Sequence, residues 1–258
     1  MSAGGGPHGA GWGARGTGSP AAEEPRPQDV VAAGYDAISD RFAAWQAGVK
    51  GDPRDRYVRR LLGLLPERPD VLELGCGGGV EPTPTLARLG RLVAIDVSRA
   101  QLERARAAVP GAELIHADVT QAELPAASFD AVVALYVLTH VPRDELPALL
   151  RRIAGWLRPG GALLATLGRR EGEEVVEDWL GAPMFFSSFE PETNERLLRE
   201  AGFEPLESRV ESIHEPESEP GRGPQTVAFH WVLAVTRSAG GAAPPAAPRE
   251  GASRSRAR

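Results

Sequence analysis

Short apolar runs separated by longer mixed stretches set the pattern of this 258-residue chain from about position 71 onward. Five runs read as buried strands: Val71 to Leu74, Leu92 to Ile95, Glu113 to His116, Ala131 to Tyr136 and Ala162 to Leu167. The stretches between them read as helices, and this alternation is what a doubly wound α/β sheet requires. The clearest helix starts near Asp144. There Leu146, Leu149, Leu150, Ile153, Trp156 and Leu157 recur at three- and four-residue intervals along one face, and Arg158-Pro159-Gly160-Gly161 ends it. Pro191 to Ala201 predicts a further helix closed by Gly202. Phe203 to Ile213 and Thr226 to Val235 then read as two extended strands able to pair as an antiparallel edge. Upstream, Gly34 to Trp45 spaces its aromatic residues for one or two faces of a helix.

Composition trims both ends. Residues 1–28 carry Gly4, Gly5, Gly6, Gly9, Gly11, Gly13, Gly16 and Gly18 with several prolines, too little apolar surface to order itself. From Ser238 to Arg258 the chain is Ala, Gly, Pro and Ser with scattered arginines, which reads as a second disordered tail. One domain, 29–237, remains. No run of 18 apolar residues and no hydrophobic signal core is present, so the expected location is cytoplasmic, with no membrane partner. Cys76 is the sole cysteine, which excludes an intrachain disulfide and any multi-cysteine metal site. The net charge is −6, and residues 171–219 set 15 Asp or Glu against Arg196, Arg199 and Arg209. Such an acidic stretch repels phosphates and argues against a nucleic-acid partner.

The densest chemistry lies in Val71-Leu72-Glu73-Leu74-Gly75-Cys76-Gly77-Gly78-Gly79, an apolar strand opening into a glycine loop. Glycines there let backbone N–H groups approach a ligand, and a helix starting just after would add its positive N-terminal end. The same residues also serve purely structural turns, so downstream positions decide. Asp96 ends the second strand, 21 residues beyond Gly75, the spacing of a carboxylate that accepts from both ribose hydroxyls. Asp118 follows the third strand, placed to accept from an adenine amino group. A dinucleotide fingerprint needs a third glycine where Val80 stands, and Glu73 would repel a diphosphate while favouring an ammonium or a sulfonium. The polarity fits S-adenosylmethionine.

Five motifs in order resemble the class I S-adenosylmethionine-dependent methyltransferases, particularly the small-molecule branch of bacterial enzymes. They are Glu-Leu-Gly-Cys-Gly at 73–77, Asp96-Val97-Ser98, Ala117-Asp118-Val119, Phe129 to Ala134, and Leu157-Arg158-Pro159-Gly160-Gly161. The resemblance spans roughly residues 29–237. It implies a doubly wound, Rossmann-like sheet of seven strands, mostly parallel with one antiparallel strand, helices on both faces, an N-terminal helical cap and an insertion at 171–190. It implies S-adenosyl-L-methionine as cofactor and S-adenosyl-L-homocysteine as product. Carried over residue by residue, Glu73 orients the first turn and the cofactor's ammonium, and Gly75 and Gly77 line its methionine moiety. Asp96 holds the ribose, Val97 and Gln101 flank adenine, and Asp118 with Val119 reads the amino edge. Leu135 completes the set, and Tyr35 of the cap closes over the methionine end. For Phe42 and Trp45 plain packing onto the sheet is the favoured reading.

Methyl transfer is an in-line displacement, and alignment alone can supply roughly 7–11 kcal/mol. Cofactor residues are therefore better marked than catalytic ones. Tyr136 to His140 follow the fourth strand, where the methyl group should point, and the segment lacks the Asp/Asn-Pro-Pro-Tyr/Phe of amino-group methyltransferases on adenine or glutamine. His140 is the candidate base, against the alternative of a histidine satisfied by nearby backbone. Trp179 to Phe189 brings aromatic residues into the acidic region and reads as a lid over a partly apolar acceptor. Tyr136, His140, Trp179 and Phe185 are the candidate acceptor contacts, with core packing equally open for Phe185 and Phe189. His214 and His230 are weaker candidates, and no histidine pair has metal-ligand spacing. The expected function is methyl transfer to oxygen or nitrogen of a small metabolite, secondary metabolites included. The alternatives are a methyltransferase acting on protein or RNA and a non-catalytic cofactor-binding module.

Overall fold

The computed structural model describes residues 25–237, and every structural statement below concerns these. The tail 238–258 and most of the segment 1–28 lie outside them, although α1 (Pro27–Ala47) begins inside the latter. Next come α2 (Arg54–Leu62), β1 (Asp70–Leu74), α3 (Thr83–Leu89), β2 (Arg91–Asp96), α4 (Arg99–Ala108), β3 (Glu113–His116) and β4 (Phe129–Ala134). After a 3-10 turn at Leu138–His140 follow α5 (Leu146–Trp156), β5 (Leu157–Leu167), β6 (Gly172–Trp179) and β7 (Ala182–Ser188). The chain closes with α6 (Pro191–Glu200), β8 (Phe203–Glu215) and β9 (Gln225–Thr236).

Seven strands form one sheet in the order β3-β2-β1-β4-β5-β9-β8, with β9 antiparallel to both neighbours and the others parallel. This is the expected doubly wound sheet. Its central strands are buried on both faces, and alternate residues feed two cores. Val71 packs with Tyr57 and Leu61 of α2, Leu86 of α3 and Leu102 of α4. Leu72 and Leu74 join Leu149, Leu150 and Ile153 of α5 and Leu198 of α6 in the other cluster. One strand departs from expectation. β4 ends at Ala134, and Tyr136, read as its last residue, turns out of the strand with φ +63°.

The insertion at 171–190 is a separate two-stranded hairpin of β6 and β7. It packs on α1, not on the main sheet: Val31 and Ile38 meet Trp179, Met184 and Phe185 in a third cluster. Gly34 permits this approach, since a Cβ there would stand 2.7 Å from the Pro183 carbonyl oxygen and 2.8 Å from Met184 Cε. Helix and hairpin together roof the C-terminal edge of the sheet. No helix among the described residues is long and apolar enough to cross a membrane.

Candidate active site

The carboxyl ends of β1, β2 and β4 open onto a cavity of about 800 Å³ beneath that roof. Ligands of open α/β sheets bind at this edge, where crossovers diverge to the two faces. Gly75 and Gly77 take positive φ values of 68° and 54°, which turns the loop away from β1. A Cβ on Gly77 would meet no atom within 4 Å, so the cavity comes right up to its backbone. The loop continues to Pro82 before α3 starts, and α3 has only seven residues. The expected helix directly behind the glycines is therefore displaced. Val80, where a dinucleotide site needs glycine, lies 44% exposed on that loop.

Asp96 ties the loop to β2. Its Oδ2 accepts from the Gly77 N–H at 2.8 Å and its Oδ1 from the Ser98 N–H at 2.9 Å. A carboxylate offers about four acceptor sites, so each oxygen can still accept from a sugar hydroxyl. Burial pushes its carboxyl up to about 6, against the pull of the two N–H groups. Asp118 is held by the Thr120 N–H and hydroxyl, both on Oδ1, at 2.8 and 2.9 Å. Its Oδ2 is buried without a partner, as is Gln101 Nε2. Val97 and Val119 line the cavity together with them. An acceptor, a donor and two apolar surfaces thus converge where an adenine would fit.

Glu73 closes the other end. It is 4% exposed, its Oε1 accepts from Thr83 Oγ1 at 3.0 Å, and its Oε2 has no partner. Burial drives its carboxyl up to about 8, with the Thr83 hydroxyl and Arg54 opposing. An incomplete carboxylate pair beside the glycine loop suits a cationic ligand group. Leu135 also lines this part of the cavity. The residues present therefore fit S-adenosylmethionine on the strength of their orphaned polar atoms and the open face of Gly77.

The acceptor side differs more from expectation. His140 Nδ1 lies 2.7 Å from the Phe185 carbonyl oxygen, which can only accept, so Nδ1 carries the proton. Nε2 then accepts from the Tyr35 hydroxyl at 3.0 Å. Burial pushes the imidazole down to about 4 and the Tyr35 phenol upward. The Nε2 lone pair that a general base would use is thus engaged by the Tyr35 hydroxyl. Trp179 lines the cavity, but Phe185 does not: its side chain is buried in the lid cluster, and Phe186 takes the wall position. Phe42 and Trp45, read as sheet packing, contact Trp179 at 6.0 and 5.6 Å and line the cavity.

Tyr136 also lines the cavity, its ring edge-on to Phe229 at 5.0 Å with the Arg54 guanidinium over it at 5.4 Å. Arg54, Phe229, Ile213 and Glu215 line the same cavity, and no motif marked them in the sequence. His214 pairs with Thr226 Oγ1, and His230 lies in a buried cluster with Ser208 and Asn194, so neither reaches the cavity.

Several methyltransferases are similar to this chain. A family model described as a methyltransferase domain matches residues 71–161. An uncharacterized methyltransferase of Mycobacterium tuberculosis is 33% identical over 120 residues, 44% of this chain; the chain spans 60% of that relative's length. The 27-O-demethylrifamycin SV methyltransferase of Amycolatopsis mediterranei is 31% identical over 215 residues, covering 70% of this chain and 76% of that protein. Among solved structures, the CcbJ methyltransferase from Streptomyces caelestis superposes with a TM-score of 0.60 at 18% identity, covering 81% of this chain and all of that one, which shows a shared fold. The chain belongs to the class I S-adenosylmethionine-dependent methyltransferases.

Proposed function

We propose that this chain transfers the methyl group of S-adenosylmethionine to an oxygen or nitrogen of a small metabolite, with secondary metabolites the favoured class. The observation that carries the reading is the continuity of one cavity, from the Asp96 and Asp118 carboxylates past Gly77 to the aromatic wall under the roof. Its volume falls in the range of about 300–1,000 Å³ typical of small-ligand sites. The α1–hairpin roof favours an acceptor small enough to lie beneath it over a segment of protein or RNA. The name of the Amycolatopsis relative, which refers to a rifamycin, supports the same class.

When bound, the cofactor supplies an electrophilic methyl on a sulfonium. Asp96 and Asp118 fix the nucleoside, and Glu73 holds a carboxylate near the cationic end. Tyr35, anchored by His140, offers its ring to the sulfonium side, where aromatic faces attract cations. His140 acts as a positioning residue in this scheme, and alignment with exclusion of water supplies most of the acceleration. Incubation with S-adenosylmethionine and a panel of metabolites, peptides and RNA, followed by quantification of S-adenosylhomocysteine, tests the reading. Turnover on metabolites is expected. Turnover confined to RNA or peptides would overturn the acceptor class, and binding without turnover on every member would leave a non-catalytic module.

A further inference from the structure

Glu215 is the last residue of β8 and lies two positions after Ile213, so both side chains share the strand face that lines the cavity. His214 between them turns the other way and is exposed. Its neighbour Pro216 is stitched to the roof, since Trp45 Nε1 donates to the Pro216 carbonyl oxygen at 3.1 Å. The Leu180 N–H, next to Trp179, donates to the Ser218 carbonyl oxygen at 2.7 Å. Glu215, one residue before the Pro216 anchor, lines the same cavity as Tyr35, Trp45 and Trp179.

Two other carboxylates of the cavity lining are already paired. Asp52 is paired with Arg54 at 3.0 Å, and Glu219 is paired with Arg222. Glu215 has no side-chain hydrogen bond or ion pair among the described residues, and burial pushes its carboxyl up to about 7. A partly desolvated carboxylate in a cavity that also presents aromatic rings is complementary to a cation, because both the charge and the ring quadrupoles attract it. A neutral hydroxyl or a carboxylate placed there would leave Glu215 without a counter-charge.

We propose that Glu215, with Trp45 and Trp179, forms an acceptor subsite for a protonated amino group, so that the methyl acceptor of this chain carries a basic nitrogen. The inference rests on the reading of the cavity as a methyltransferase site and narrows its substrate class.

Two probes of nearly equal size and shape separate charge from apolar fit: 2-phenylethylamine and 2-phenylethanol. Their binding to the full chain saturated with S-adenosylhomocysteine is followed by ligand-observed NMR at pH 8. The wild type binds the amine about 10- to 100-fold more tightly than the alcohol, the factor of one charge-assisted hydrogen bond. Glu215→Gln brings the amine down to the level of the alcohol, leaves the alcohol unchanged, and keeps wild-type affinity for S-adenosylhomocysteine by calorimetry. Equal binding of the two probes by the wild type, or neither binding, overturns the subsite without reference to any variant. So does a Glu215→Gln protein that keeps the preference. Loss of S-adenosylhomocysteine binding in the wild type itself removes the underlying methyltransferase reading, a failure distinct from either of these.

Discussion

Replacing Glu73 by Gln removes one ionisable group from beside the glycine loop while keeping its shape and its acceptor for Thr83 Oγ1. In the ligand-free protein burial holds this carboxyl at about 8, so at pH 7 roughly nine molecules in ten are protonated. A cationic cofactor favours the carboxylate, and its binding must then expel that proton. The cost is about 1.4 kcal/mol at pH 7 and about twice that at pH 6, a tenfold loss of affinity for each pH unit below 8. The ligand's own amino group titrates near about 8, and Asp96 near 6, so absolute affinities mix several equilibria. Both are common to wild type and variant, and the ratio of the two affinities isolates Glu73. Measured by calorimetry, the ratio should favour the wild type by about 10- to 100-fold at pH 8.5, the worth of a charge-assisted contact. It should fall towards 1 between pH 8 and pH 6, as protonated Glu73 comes to resemble Gln. Near pH 7 the wild type should also release close to one proton more than the variant, read from buffers of different ionisation enthalpy. A ratio that stays flat from pH 6 to 8.5 would refute the placement of Glu73 at the cationic end. Stability follows the opposite course. The folded carboxyl is raised from 4.5 to about 8, so its favourable contribution is complete below 4.5 and lost as the pH rises through 8. Glu73→Gln should therefore raise the melting temperature of the ligand-free protein more at pH 8.5 than at pH 5.

Gly77→Val places a side chain in the cavity at φ +54° and costs about 1–2 kcal/mol of backbone strain. Calorimetry should show binding of S-adenosylhomocysteine lost while the melting temperature falls by only about 2–8 °C; retained binding would show that the cofactor does not approach this loop. Gly34→Val forces α1 off β7 at contacts of 2.7 and 2.8 Å and should cost about 1–3 kcal/mol in urea denaturation, an unchanged midpoint arguing against the tight seam. His140→Gln removes the anchor of Tyr35 and should lower kcat/KM by about tenfold, one hydrogen bond's worth. It should leave the shape of the pH–rate profile unchanged, because an imidazole held near 4 does not titrate between pH 6 and 8. Disappearance of an inflection near neutrality in this variant would restore His140 as a base.

Most strands of the main sheet were legible because they are short apolar runs, buried on both faces at the centre of the sheet, and such runs carry their own signature. Asp96 and Asp118 were legible for a related reason: they stand at the ends of those strands, where spacing along the chain translates directly into position in space. The hairpin was not. β6 reads Gly-Glu-Glu-Val-Val-Glu-Asp-Trp, acidic and without clean alternation, so it passes for a solvated insertion. Without its register, Phe185 and Phe186 could not be told apart, since a shift of one residue exchanges the faces of a strand. Glu215 escaped notice because its role depends on pairing with a helix about 170 residues earlier, which no local pattern encodes.

The roof joins the first helix to segments made much later, and this has a bearing on synthesis. Val31 and Ile38 of α1 have no hairpin to cover them until Met184 and Phe185 have been translated, and Trp45 gains its carbonyl partner only at Pro216. At about 5–20 residues per second the helix waits roughly 7–30 s on the ribosome with its apolar stripe exposed. The cofactor chamber can close only when the last third of the chain has emerged, so S-adenosylmethionine can stabilise the finished protein but not the growing one.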